Sequence, residues 1–240
     1  MTSAEKQKIA VFLDITHDFL GSGYKSEREY AFEDTPLIIN EVNEINDVTE
    51  TSDIDTIKKI ADEIRVCKNC PLYEKRTNAA PGEGVLQPLV MVIGEGPGED
   101  EDRQGRPFVG RAGQLLDKML ESIGLSRTTN SFIANVIKCR PPFNRDPHPE
   151  ETSACAHFLE RQINLLKPKF LLIAGRVAAQ TLLKTTQSIG SLRGKFIDFS
   201  VGDTVYPLLC TYHPAALLRN EDLKRPAWED LKLLKSKLDM

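Results

Sequence analysis

Residues 89–102 read LVMVIGEGPGEDED: an all-apolar run, Leu89–Ile93, stops at Gly94, turns through Glu95-Gly96-Pro97-Gly98 and ends in four acids. An unbroken apolar run of this length bounded by turn residues fits a strand buried on both faces, the kind found in parallel sheets. The same texture recurs downstream. Phe132–Ile137, Phe170–Ala174 and Val205–Tyr212 read as further strands, and helical periodicity falls between them over 112–123, 149–166 and 176–184, with Pro226–Leu238 as a closing helix. Apolar strands alternating with amphipathic helices predict an α/β fold, with a mostly parallel sheet covered on both faces. In such sheets, sites collect at the carboxyl ends of strands. Attention therefore goes to Gly94 onward, Asn135 onward and His213 onward.

Outward toward the amino terminus the chain changes character. Residues 4–20 carry a mixed helical pattern ended by Gly21-Ser22-Gly23, and 24–56 lose periodicity and gain Asp, Glu, Asn, Ser and Thr. A segment this polar and acidic offers little apolar surface to offset the entropy of ordering it, so it reads as a disordered linker. The expected organisation is an N-terminal helical extension over 1–23, an acidic linker over 24–56 and one domain over 57–240, opened by a helix at 56–66. Of the chain's 240 residues, 40 % are hydrophobic and 28 % charged, enough for one sizeable core. The net charge of −4 is unevenly spread: residues 1–60 hold 6 basic and 13 acidic side chains, so the remainder carries a balance of +3. A mild basic excess permits a nucleic-acid partner without demanding one. No run approaches a membrane span and the start lacks a secretory pattern, so a soluble, cytoplasmic monomer is expected, with residues 1–56 as a place for a protein partner.

Five cysteines are present. In an intracellular chain they do not suggest a disulfide framework. Cys67 and Cys70 form a C-x-x-C pair, Cys139 follows the second strand and Cys155 lies early in the next helix, which together make the count for a four-thiolate site. Zinc and a [4Fe–4S] cluster both accept four thiolates, and spacing alone does not decide between them. The wide gaps are unlike the paired knuckles of a zinc ribbon and lean toward iron–sulfur. Cys210, inside an apolar strand, reads as an ordinary buried thiol. A closed four-ligand site leaves no position for substrate, so its expected role is architectural.

Three loops carry the candidate chemistry. The Gly94–Asp102 turn is a poor dinucleotide cradle, because Pro97 removes an amide, no helix is expected to start in register and the acids would repel a pyrophosphate. It suits instead a tight turn that brings backbone N–H groups to a small polar ligand. Phe108, among glycines and arginines at 105–113, is placed to stack on a base, with Arg111 facing phosphate. Asn135 at a strand end has both a donor and an acceptor for a nucleobase edge. His213-Pro214-Ala215-Ala216-Leu217-Leu218-Arg219 follows the last strand, with Leu217 and Leu218 expected to be exposed.

Together, Gly94-Glu95-Gly96-Pro97-Gly98-Glu99, Arg106 to Gly113, Asn135 with Lys138-Cys139-Arg140-Pro141-Pro142, and His213 to Arg219 resemble the motifs of the family 4, iron–sulfur uracil-DNA glycosylases. The resemblance runs from about Cys67 to the carboxyl terminus. It implies a three-layer α/β/α sandwich, a [4Fe–4S] cluster on Cys67, Cys70, Cys139 and Cys155, and hydrolysis of the N-glycosidic bond of uracil in DNA to start base-excision repair. It further implies that Glu95, Gly96 and Pro97 hold uracil, Phe108 stacks on it, Asn135 reads it and His213 lies at its O2. Leu217 or Leu218 would wedge into the vacated space, and Arg219 would meet phosphate. The group that activates water is open: the family 1 enzymes have an Asp where this chain has Gly96, and among Glu95, Glu101 and the flanking carboxylates, which could position water or steady the sugar cation, Glu101 is the one favoured. A non-catalytic nucleic-acid-binding module of the same fold, serving a replication or repair complex, is the alternative.

Overall fold

The computed structural model describes residues 55–238, so the expected extension over 1–23 and all but the last two residues of the acidic linker lie outside the described residues. Six strands form one sheet: β1 (Glu83–Gly84), β2 (Val90–Gly94), β3 (Ser131–Asn135), β4 (Phe170–Ala174), β5 (Phe196–Val201) and β6 (Thr204–Thr211). Their spatial order is β1-β3-β2-β4-β6-β5. The four central strands run parallel, while β1 and β5 pair antiparallel at the two edges. The sheet is thus mostly parallel, as its apolar runs predict. From β2 the chain first goes to β3 on one side, then crosses to β4 on the other. This is a reversal of winding, and it opens a crevice beyond the carboxyl ends of β2 and β4.

Among the described residues eight α-helices accompany the sheet: α1 (Ile57–Val66), α2 (Glu99–Gln104), α3 (Arg111–Glu121), α4 (Pro149–Leu166), α5 (Arg176–Leu183), α6 (Ile189–Leu192), α7 (Pro214–Arg219) and α8 (Lys224–Leu238). Side chains alternate across a strand, and here both faces are apolar. Met91 and Ile93 of β2 join Leu159, Ile163 and Leu166 of α4 and Ala178 and Ala179 of α5 on one face. Val90 and Val92 join Leu116, Met119 and Leu120 of α3 and Leu231 and Leu234 of α8 on the other. Each fully buried Leu or Ile contributes about 1.5–3 kcal/mol relative to exposure, so these two cores hold the three layers together. A third, smaller core forms where α1 docks on α4 through Ile60, Ile64 and Phe158. Arg161 of α4 anchors that docking by donating from Nε to Asp55 Oδ2 at 2.7 Å and pairing with Glu63.

Helix and strand bounds otherwise follow the sequence pattern closely, with five additions, the short helix α6 among them. The edge strands β1 and β5 are half-buried and lack an unbroken apolar run. Helix α2 begins directly after the glycine turn, with Gly98 as its N-cap, so the expectation that no helix starts in register there is corrected. The Glu101 side chain completes that cap by accepting from Gly98 N at 3.1 Å, and acids in a first turn are favoured by the helix dipole. Helix α7 replaces the loop expected after His213, because Pro214 suits a first helical position.

Candidate functional site

The crevice above β2, β4 and β6 is a cleft of about 640 Å³, lined by Glu95 to Gly98, Glu101, Phe108, Arg176, His213 and Arg219 among others. All three loops singled out from the sequence reach it or its floor. Gly94 of β2 and Asn135 of β3 stand opposite each other on the last rung of the sheet. A side chain at Gly94 would press into Phe108 Cζ at 2.4 Å and Asn135 Oδ1 at 2.5 Å, so the glycine is what lets ring and amide meet there. At Gly96 an added Cβ would come within 2.7 Å of Ile137 Cγ1, which leaves no room for a side chain in the turn.

Asn135 is 1 % exposed, yet neither Nδ2 nor Oδ1 has a hydrogen-bond partner among the described residues. Buried polar atoms are almost always paired, and each orphan costs about 1–3 kcal/mol. Its backbone carbonyl, in contrast, accepts from the buried Lys138 Nζ at 2.9 Å, and Lys138 also donates to Gln162 Oε1 at 2.8 Å. The main chain is tied and the side chain is left open.

Phe108 is held by force. Its φ of +53° is rare for a bulky residue, and the surroundings impose it. Arg127 donates to the carbonyls of Pro107 at 3.1 Å and Phe108 at 2.8 Å, while Asp117 holds the same guanidinium at 2.8 Å. Glu101 Oε1 accepts from Val109 N and Gly110 N, both at 2.8 Å. A Cβ at Gly113 would lie 1.9 Å from the Phe108 carbonyl oxygen, so only glycine lets α3 start this close. The ring that results stacks on the His213 imidazole, with centroids 5.5 Å apart and planes inclined by 30°.

His213 caps α7 with its own ring: Nδ1 accepts from Ala215 N at 3.1 Å. Burial, helped by the nearby Arg219 charge, pushes the imidazole down to about 4, so it is neutral at pH 7. With Nδ1 used as an acceptor, the single proton of the neutral ring is assigned to Nε2, which makes that nitrogen a donor. Gly175 permits this placement, having a φ of +102° and no Cβ to strike His213 Cβ at 2.8 Å. Glu95 is the carboxylate of the glycine turn that lines the cleft. Burial, with Asp146 adding and Arg176 opposing, raises it to about 7.

Two expected residues are placed differently by the structure. Leu217 is 2 % exposed and packs into the core against α3 and α8, so the expectation of an exposed Leu217 is corrected; Leu218, 47 % exposed, is the apolar side chain that α7 presents outward. The turn of α7 is the reason: once helical, consecutive leucines point in different directions. Glu101 lines the cleft but commits both oxygens to backbone amides. Arg111 and Arg219 are exposed at the ends of α3 and α7. Sequence reading missed Arg127 and Gly175 and gave Gly113 no role beyond its place in a motif, because their roles depend on what lies next to them in space.

Cys67, Cys70, Cys139 and Cys155 line one pocket together with Ile64, Tyr73, Arg76 and Phe158. Among the described residues no three such side chains converge closely enough to hold a single metal ion. Burial raises the thiols of Cys139 and Cys155, the latter to about 11, while Arg76 and Lys138 respectively oppose that rise. Arg76 Nη1 donates to Cys139 Sγ at 2.9 Å, and Asn69 N to Cys67 Sγ at 3.5 Å. Donors and cations directed at sulfur in an apolar nest are the surroundings that thiolate-held groups require. Cys210 is fully buried in β6, as its apolar strand implied.

No helix among the described residues is long and apolar enough to cross a membrane. The family model described as the uracil DNA glycosylase superfamily matches residues 81–232. The chain is 43 % identical over 187 residues to a type-4 uracil-DNA glycosylase of Sulfurisphaera tokodaii, covering 76 % of this chain and 84 % of that one. It is 44 % identical over 180 residues to the type-4 enzyme of Thermotoga maritima, covering 74 % and 92 %. A type-5 uracil-DNA glycosylase of Thermus thermophilus is 34 % identical over 117 residues, 43 % of this chain and 53 % of that one. A family model that matches residues 81–232, together with type-4 relatives 43 % and 44 % identical over about three quarters of the chain, shows that the chain belongs to the type-4 family of the uracil-DNA glycosylase superfamily.

Proposed function

We propose that the chain hydrolyses the N-glycosidic bond of uracil in DNA, leaving an abasic site for base-excision repair. The observation that carries this reading is the orphaned amide of Asn135. Uracil presents an N3–H donor beside a carbonyl acceptor, and an amide offers the complementary pair. Docking the base would satisfy both atoms at once and recover what their burial costs. The base has to leave the helical stack to arrive there, which is easiest where it is mispaired. Phe108, with its orientation imposed, supplies a flat apolar face for the ring.

Bond cleavage leaves negative charge on uracil and positive charge on the sugar. A neutral His213 with its proton on Nε2 donates to O2 without first placing a cation in a dry site, and a preorganised donor of this kind contributes roughly 3–4 kcal/mol. Glu95, poised at about 7, is the carboxylate we assign to positioning the attacking water or steadying the sugar cation. Glu101 holds the Gly98 turn and the Phe108 loop in register instead, because its oxygens already serve three amides. Leu218 and Arg219 at the exit of the cleft are assigned to the vacated space and to phosphate. Cys67, Cys70, Cys139 and Cys155, which line one apolar pocket, are the residues that would hold a [4Fe–4S] cluster. Such a cluster, when bound, would staple α1 and its following turn to α4.

The test is release of free uracil from a uracil-bearing oligonucleotide by the purified, iron-loaded protein, compared with Asn135→Ala and His213→Ala. Release by the wild type and its loss in both variants is expected. Binding of the DNA with no base release would favour the non-catalytic alternative.

A further inference from the structure

Phe143 is 99 % exposed, the most exposed large apolar side chain among the described residues. It contributes nothing to a core. It also sits in a backbone conformation that a bulky residue avoids, with φ of +55° and ψ of +22°, followed by Asn144 at φ +54°. Two left-handed residues in succession need a frame, and one is visible. Pro141 and Pro142 fix the approach, and Asn144 N and Arg145 N donate back to their carbonyls at 3.1 and 3.2 Å. Arg140 Nε donates to Asn144 Oδ1 at 2.7 Å, and Arg145 grips Glu151 through two bonds of 2.6 and 2.8 Å. The frame is continuous with the catalytic cleft, because Pro141, Asn144 and Arg145 line it. An aromatic ring held against its own backbone preference, pointing into solvent at the lip of a DNA-binding cleft, is a placement that folding does not require.

We propose that Phe143 is a nucleobase-stacking residue that binds a base flanking the extruded nucleotide, so that this enzyme grips its substrate strand at two aromatic points, Phe108 inside the slot and Phe143 outside it. The proposal rests on the glycosylase reading above. A π-face accepts any base, so the contact adds affinity without adding sequence preference. Arg140 and Arg145, which flank it in the loop, are already paired with Glu99 and Glu151, which makes stacking, and not charge, the main contribution of this lip.

The experiment compares wild type, Phe143→Gly and Phe143→Trp for uracil release from a duplex with one U:G pair, and measures thermal midpoints of all three. Phe143→Gly is expected to lower kcat/KM about tenfold to a hundredfold, mostly through KM, given what base–aromatic stacking is worth. Its thermal midpoint is expected to stay level or rise, since glycine adopts the left-handed conformation freely. Phe143→Trp is expected to retain at least half of the wild-type kcat/KM. The chain has one tryptophan, Trp228. In a Trp228→Phe background, Phe143→Trp becomes a single reporter whose fluorescence should be quenched by a duplex carrying a tetrahydrofuran abasic-site analogue. A kcat/KM for Phe143→Gly within twofold of wild type, or an unquenched reporter, would overturn the proposal. Absence of uracil release by wild type would instead refute the glycosylase reading, and the fluorescence would still decide Phe143 separately.

Discussion

Replacing Asn135 by Leu should make this protein more stable and useless. The two side chains have nearly the same branched shape, so the substitution removes the unpaired Nδ2 and Oδ1 without opening a cavity. Each orphan is worth about 1–3 kcal/mol, and a net stabilisation of about 2 kcal/mol allows for imperfect packing beside Gly94 and Phe108. For a domain of this size that is a rise of roughly 4–8 °C in Tm. The Lys138 contact is to the backbone carbonyl and survives the change. Uracil release should fall at least about a hundredfold, because losing a buried recognition pair removes specific binding in the transition state. The assay is differential scanning calorimetry alongside single-turnover release from a uracil-bearing duplex. A variant less stable than wild type, or one that still releases uracil at a comparable rate, would refute the claim that this amide is an open binding group maintained at the expense of stability.

The depressed His213 makes the fold acid-sensitive: with a value of about 4 in the fold against the usual 6.5 unfolded, the unfolded chain binds more protons between those limits, so about 3 kcal/mol of stability is lost as the pH is lowered from about 6.5 to about 4, and His213→Asn should abolish that component in a pH series of thermal midpoints. Glu95 should impose a rate that declines as pH falls through about 7, the carboxylate being needed ionised, and Glu95→Gln should flatten the profile. Gly113→Ala should destabilise by about 1–3 kcal/mol and reduce activity, since its Cβ would overlap the Phe108 carbonyl; a variant with wild-type Tm would contradict the packing described. Cys139→Ser should give protein with lowered bound iron and weakened visible absorbance, measured by iron quantification on the same samples, and full iron retention would remove Cys139 from the proposed ligand set.

Much of this molecule was legible in one dimension because its signals are local. Strands β2 and β4 are unbroken apolar runs, α4 opens at Pro149 where the sequence predicts it, Gly94 and Asn135 end their strands, and His213 follows two residues after the end of β6, at the sheet edge that the parallel-sheet rule points to. The edge strands were not legible, since a half-buried strand of mixed polarity gains its identity only from the neighbour it pairs with. Helices α2 and α7 were read as loops, since each is a single short turn stabilised by capping contacts that depend on where Glu101 and His213 fall in space.

Burial, and the electrostatics that follow from it, belonged wholly to the tertiary structure. Nothing in the letters separates Leu217 from Leu218, yet the direction of one helical turn sends the first into the core and the second to the surface. Nothing separates Glu95 from Glu101 either; their distinction comes from desolvation of one and three amide donors to the other. Residue type and spacing determine which chemistry is possible, because they are covalent facts. Which group is charged, which is paired and which is left waiting depends on distances between segments far apart in the chain, and only the folded packing fixes those.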